Sequence, residues 1–192
     1  MSRIAYPRVL GAALLLALLA GCSLAPPLPP APSQPVLAEP ATLKRQLIFE
    51  RDDRRETQTL IALIRLAGSE LRVALLTPYG QRLVTLVQDV GGSRYVAGDV
   101  PLAEIEQRLP PADWLAARLQ WCLWPAEALR EAFAGTPWRL TLSERSREIR
   151  YRDQLIARIS PADSHAGTRQ PVLLDDRQGQ YRLRIIPLKD SP

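Results

Sequence analysis

The sequence is poor in the residues that usually carry chemistry, with one histidine and two cysteines among 192 residues. The histidine, His165, lies in the polar stretch from Ser160 to Gln170 with no nucleophile pattern beside it, so a solvent-exposed imidazole is expected. There is no glycine-rich phosphate loop, no Gly-x-Ser-x-Gly elbow and no metal-ligand spacing. The carboxylate pairs Asp52-Asp53 and Asp175-Asp176 are adjacent in sequence, and neighbours on a strand point to opposite faces. Neither pair therefore builds a two-carboxylate acid/base site. These absences argue against an enzyme and against a metal centre. No internal repeat is present. The formal charge of +5 falls to +3 once Arg3 and Arg8 are removed with the leader described next. So small and scattered an excess argues against nucleic acid, and only weakly favours an anionic membrane surface.

The apolar run from Val9 to Ala20 spans 12 residues, too few for a helix to cross a hydrocarbon core of ~30 Å. Preceded by Arg3 and Arg8 and followed by small residues, it fits a secretory signal. The next residues, Leu19-Ala20-Gly21-Cys22, resemble the lipobox of bacterial lipoproteins. That resemblance implies cleavage before Cys22, a diacylglycerol on its thiol and a palmitate-type N-acyl chain, with no other cofactor. Each buried CH₂ contributes ~0.8 kcal/mol, so several chains anchor firmly. Ser23 replaces the aspartate that commonly retains such proteins at the inner membrane, which implies an outer-membrane lipoprotein facing the periplasm. With Cys22 lipidated, Cys122 has no intramolecular partner. It sits in the most apolar helix and is expected to act as a small hydrophobe.

Seven prolines fall between Leu24 and Ala41. Such a run forms no packed element and makes an extended, semi-rigid tether of ~3.1 Å per residue, suited to holding a domain off the membrane. The chain thus divides into a signal peptide (1–21), a lipidated cysteine and tether (22–42), one folded domain (43–188) and a short tail (189–192).

Within the domain, strand patterns cover 44–51, 57–66, 70–77, 81–89 and 94–97, separated by turn signals such as Ala67-Gly68-Ser69 and Pro78-Tyr79-Gly80. Helical patterns follow from Leu102 to Phe133, and strands resume over 138–143, 148–152, 154–160, 172–174 and 180–188. In the last of these Tyr181, Leu183 and Ile185 alternate with Arg182 and Arg184, one face greasy and one wet. Short, even connections indicate antiparallel meanders. About five strands, helices and about five more strands predict a mainly β, α+β fold, a strongly curved antiparallel sheet or half-barrel with helices on its concave face.

The central helical stretch runs from Pro111 to Pro125. Pro111 suits a first helical position, Asp113 favours the positive end of the dipole, and Pro125 blocks continuation. Trp114, Leu115, Leu119, Trp121, Cys122 and Leu123 spread over roughly 200° of its circumference, with Arg118 inside the apolar arc. Such a helix either closes an ordinary core or lines a hydrophobic cavity through Trp114, Leu115, Arg118, Leu119, Trp121 and Cys122.

The lipobox, the proline-rich tether and the strand–helix–strand order resemble the outer-membrane lipoprotein receptor LolB and its soluble partner LolA. They resemble more closely an uncharacterised lipoprotein family that often accompanies aryl-polyene pigment genes. The matching stretches are Leu75-Leu76-Thr77-Pro78-Tyr79-Gly80-Gln81, Leu109-Pro110-Pro111 through Trp124-Pro125, and Tyr181-Arg182-Leu183. The resemblance implies a hydrophobic or acylated cargo, handed over by a LolA-like periplasmic carrier and inserted at the membrane. It also implies a membrane-contact loop at Pro78, Tyr79 and Gly80, with Tyr79 standing where LolB has an exposed leucine; tyrosine too suits an interface. The alternative is a non-catalytic structural lipoprotein that binds protein partners in the envelope.

Overall fold

The computed structural model describes residues 26–32, 40–51 and 57–188. The signal peptide, Cys22, the Asp52-Asp53 pair and the tail at 189–192 lie outside them.

Among the described residues ten strands form one antiparallel sheet. The first five are β1 (Ala41–Arg51), β2 (Thr57–Ala67), β3 (Glu70–Leu76), β4 (Arg82–Asp89) and β5 (Gly92–Ala97). Three helices follow, α1 (Leu102–Glu106), α2 (Ala112–Leu123) and α3 (Ala126–Phe133). The second five strands are β6 (Trp138–Leu142), β7 (Arg147–Tyr151), β8 (Gln154–Ser160), β9 (Val172–Asp176) and β10 (Tyr181–Pro187). The order β5-β4-β3-β2-β1-β10-β9-β8-β7-β6 makes two meanders joined at the centre by β1 against β10. The sheet stays open, with β5 and β6 as its edges.

Alternation selects the buried face. In β2, Leu60, Ala62, Ile64 and Leu66 are buried, while Leu63 and Arg65 between them are exposed. Register then stacks these residues across strands: Leu47 opposes both Leu60 and Ile185, Leu183 opposes Phe49 and Leu174, and Val73 opposes Ile64 and Leu86. In β10 Leu183 and Ile185 are buried and Arg182 and Arg184 exposed, as the alternation predicts. The three helices share one buried apolar cluster with this face.

Pro125 ends α2 as expected, whereas Pro111, expected at the first helical position, is the N-cap just outside it, extended at φ −51°, ψ 144°. Trp124, pushed out of the helical region by the following Pro125, is extended at φ −84°, ψ 145°. One part of the tether is not a free spacer. Pro32 is buried, and Leu28, Pro29 and Ala31 border a small cavity shared with α2 and the β4–β5 turn.

Candidate functional site

The helix α2 carries five of its six expected cavity residues deep in the fold. Leu115, Leu119 and Cys122 have no exposure, Trp121 and Arg118 almost none, and Trp114 is partly buried. Arg118 is the organising group among them. Its guanidinium lies between two indoles two turns apart, 4.6 Å from the Trp114 ring and 4.5 Å from Trp121. Its Nε donates to Asp176 Oδ2 at 2.7 Å, and a terminal nitrogen donates to Gln178 Oε1 at 3.1 Å. Asp176 Oδ1 meanwhile accepts the backbone N–H groups of Gln178 and Gly179 at 2.9 and 2.8 Å. One carboxylate therefore ties α2 to the β9–β10 turn. Burial lowers the pKa of Arg118, and the Asp176 charge opposes that shift.

Asp176 is a residue that the sequence reading did not bring to this site, although the signal was present. It shares strand parity with Val172 and Leu174, so it had to face the core. Asp175, its neighbour, faces out and pairs with Arg177 at 2.8 Å. The pair is split between faces, as alternation requires.

A second buried arginine holds the other end of α2. Arg147 has no exposure; it donates to the Trp124 carbonyl at 3.0 Å and to Ser164 Oγ at 2.7 Å. The last turn of α2 has no basic residue of its own, so Arg147 supplies the cation that a helix C-terminus favours. Its Nε has no hydrogen-bond partner among the described residues. Cys122 lies nearby, and burial pushes its thiol up to about 12 while Arg147 opposes the rise. The stretch from Ser160 to Gln170 is drawn in by these contacts. Ser164 and Ala166 are buried, Ala166 N–H donates to the Leu123 carbonyl at 2.8 Å, and His165 remains exposed.

A cleft of about 490 Å³ opens elsewhere, between α1 and the β1–β2 and β10 strand ends. None of the six expected cavity residues lines it. Phe49, Pro110 and Tyr181 give it apolar walls, and Arg51, Arg108 and Gln58 give it polar ones. Among its described lining residues there are two arginines and no carboxylate. Tyr181 connects it to α2, since its ring packs 5.2 Å from Trp114 and lies under Arg51 at 5.1 Å.

The β3–β4 turn, Pro78-Tyr79-Gly80, leaves Tyr79 99% exposed. The turn is fixed by the backbone, with Gly80 N–H donating to Thr77 O at 3.0 Å and Gly80 at φ +89°. Ile61, Leu63, Leu76, Pro78 and Lys44 border a shallow hollow beside it on the outer face of the sheet. No helix among the described residues is long and apolar enough to cross a membrane, and none of them form a cluster of three or more metal-ligating side chains.

Fold and site together define a mainly β protein built on one open, ten-stranded antiparallel sheet with a helical connection packed into its core. The model of the family DUF3261, described as a protein of unknown function, matches residues 42–189, and the chain belongs to that family. No curated protein matches it.

Proposed function

We propose that this protein is a lipid-anchored outer-membrane lipoprotein, facing the periplasm, that binds a hydrophobic or acylated cargo and passes it on at the membrane. In this reading the sheet is a LolB-like half-barrel, its helices sit on the concave face, and a LolA-like carrier delivers the cargo. The observation that carries the reading is the cleft of about 490 Å³, whose walls combine Phe49, Pro110 and Tyr181 with Arg51 and Arg108. An amphiphile suits such a lining, because apolar area contributes ~25 cal/mol per Å² buried while the arginines hold a polar head. The exposed Tyr79, with Leu63 and Leu76 close by, is then the surface that meets the interface during delivery.

The test uses delipidated, folded protein and a fluorescent fatty acid. Micromolar binding that is weakened at least tenfold by Tyr181→Ala supports the cargo reading. No binding by the folded parent sinks it. Mass spectrometry of material co-extracted with the protein would then name the cargo.

One observation favours the second reading, a structural lipoprotein that binds protein partners. The space between Trp114 and Trp121 is filled by the Arg118 guanidinium, so the helix interior offers no room for an acyl chain there. Cargo would have to occupy the cleft at the sheet end instead.

A further inference from the structure

We propose that residues 26–32 form a strap that decides which end of the sheet meets the membrane. The inference rests on the lipid anchor at Cys22 from the reading above, but not on the cargo. Leu28, Pro29 and Ala31 border a cavity of about 180 Å³ together with Gln88, Gly92 and Gln120, so the strap lies where α2 meets the β4–β5 turn. Pro32, at its far end, is buried. Across that cavity the Gln120 side chain is 4% exposed, and its Nε2 has no hydrogen-bond partner among the described residues.

Register separates the two ends of the sheet. Ala41 opposes Leu66, and Asp89 opposes Gly92, which puts the start of β1 and the β4–β5 turn at one end. Arg51 opposes Tyr181, and Leu76 opposes Arg82, which puts the cleft and the Tyr79 turn at the other. The eight residues of β4 span about 27 Å between these ends.

The length of chain between anchor and domain decides what can reach the bilayer. Cys22 and Ala41 are 19 positions apart, about 59 Å of free polyproline-like chain. That is enough for either end of the sheet to approach the surface. With the strap seated, only the six positions from Cys22 to Leu28 remain, at most about 21 Å. The short leash brings the β4–β5 tip to the membrane and leaves the cleft end facing the periplasm. At that tip Val90 is fully exposed between Asp89 and two glycines, an apolar side chain without a core role. A lipid interface would cover it. Lifting the strap restores the long leash and frees the Tyr79 end to reach the bilayer.

The experiment uses the full lipidated chain reconstituted in phosphatidylethanolamine–phosphatidylglycerol vesicles that contain spin-labelled lipids. Val90→Cys and Tyr79→Cys carry a thiol-reactive fluorophore, and buried Cys122 stays unlabelled. Quenching at position 90 is expected to exceed that at 79 by threefold or more. In the strap variant L28S/P29G/P32G, with its circular dichroism unchanged, the two positions are expected to quench equally. Equal or stronger quenching at 79 in the parent overturns the proposal, as does a folded strap variant that keeps the parent's pattern. A mature chain whose mass shows no lipid overturns the anchor and the strap together. An anchored chain with the expected quenching that binds no fatty acid sinks only the cargo reading.

Discussion

Replacing Asp176 with asparagine tests the central packing argument at one atom pair. The side chain keeps its shape and an oxygen for the β9–β10 turn, so the Gln178 and Gly179 N–H groups retain an acceptor. What disappears is the charge 2.7 Å from Arg118 Nε, where both side chains are essentially unexposed. Arginine does not give up its proton at ordinary pH, so the mutant keeps an uncompensated cation between two indoles. Breaking a buried pair from one side costs about 3–5 kcal/mol. For a domain of this size, each kcal/mol lowers the melting temperature by roughly 2–4 °C, so Asp176→Asn is expected to melt about 6–20 °C lower. Thermal unfolding of the unlipidated Cys22→Ser protein, followed by far-UV circular dichroism, measures the drop. The double variant R118M/D176N removes both charges, and its melting temperature is expected to recover part of the loss. A drop below about 2 °C for the single variant, or a double variant that loses the sum of both singles, would refute the reasoning.

Cys122, its thiol pushed up to about 12 by burial, is expected to resist iodoacetamide at pH 8 until the protein is denatured; prompt alkylation of the native state would contradict its placement. The Asp89 carboxyl is held down to about 2, first by the hydrogen bond from Arg94 and then by the Gly91 N–H. Its folded pKa lies below the unfolded value near ~3.9, so its stabilising effect on the β4–β5 turn is present above about pH 4 and is lost as pH falls toward 2. Arg94→Gln should move the NMR titration midpoint of Asp89 upward, and an unmoved midpoint rejects the pairing. At Gly179 an added Cβ would stand 2.7 Å from the Trp114 ring, so Gly179→Ala is expected to cost about 1–3 kcal/mol; an unchanged melting temperature would mean that the turn and the indole are not in contact.

The sheet was readable because its signals are local. Turn residues mark each hairpin, and a period of two marks each buried face, as in Leu183 and Ile185 against Arg182 and Arg184. Strand order was less explicit. Nothing local to β1 or β10 says that they pair, yet Leu47 and Ile185 oppose one another at the centre of the sheet. That pairing follows from closing two meanders over one helical connection, a global requirement. Helix α2 was legible for the same reason as the strands, since its prolines fix both ends. In the polar stretch from Ser160 to Gln170 the sequence predicts an exposed His165, and the imidazole is exposed. The part that is not exposed, Ser164 and Ala166, is held by Arg147 and by the Leu123 carbonyl, partners respectively 17 and 43 positions away.

The candidate site was harder to read because its polar members come from distant parts of the chain. Arg118 within an apolar arc was visible in the sequence, and a buried cation demands a partner. The available carboxylates with inward parity were few, and Asp176, between buried neighbours on β9, was one of them. The two facts together predict the contact, but only once α2 is known to lie over the β9–β10 end of the sheet. The same contact bears on function. A helix whose two tryptophans enclose a fixed, paired arginine cannot swing open to admit a chain without separating a buried ion pair. A mobile hydrophobic lid would need the opposite chemistry, apolar side chains with no obligate partner. Any cargo site is therefore expected at the sheet end beside Tyr181, where Arg51 and Arg108 are still reached by solvent and Trp114 supplies a rigid wall behind the tyrosine ring.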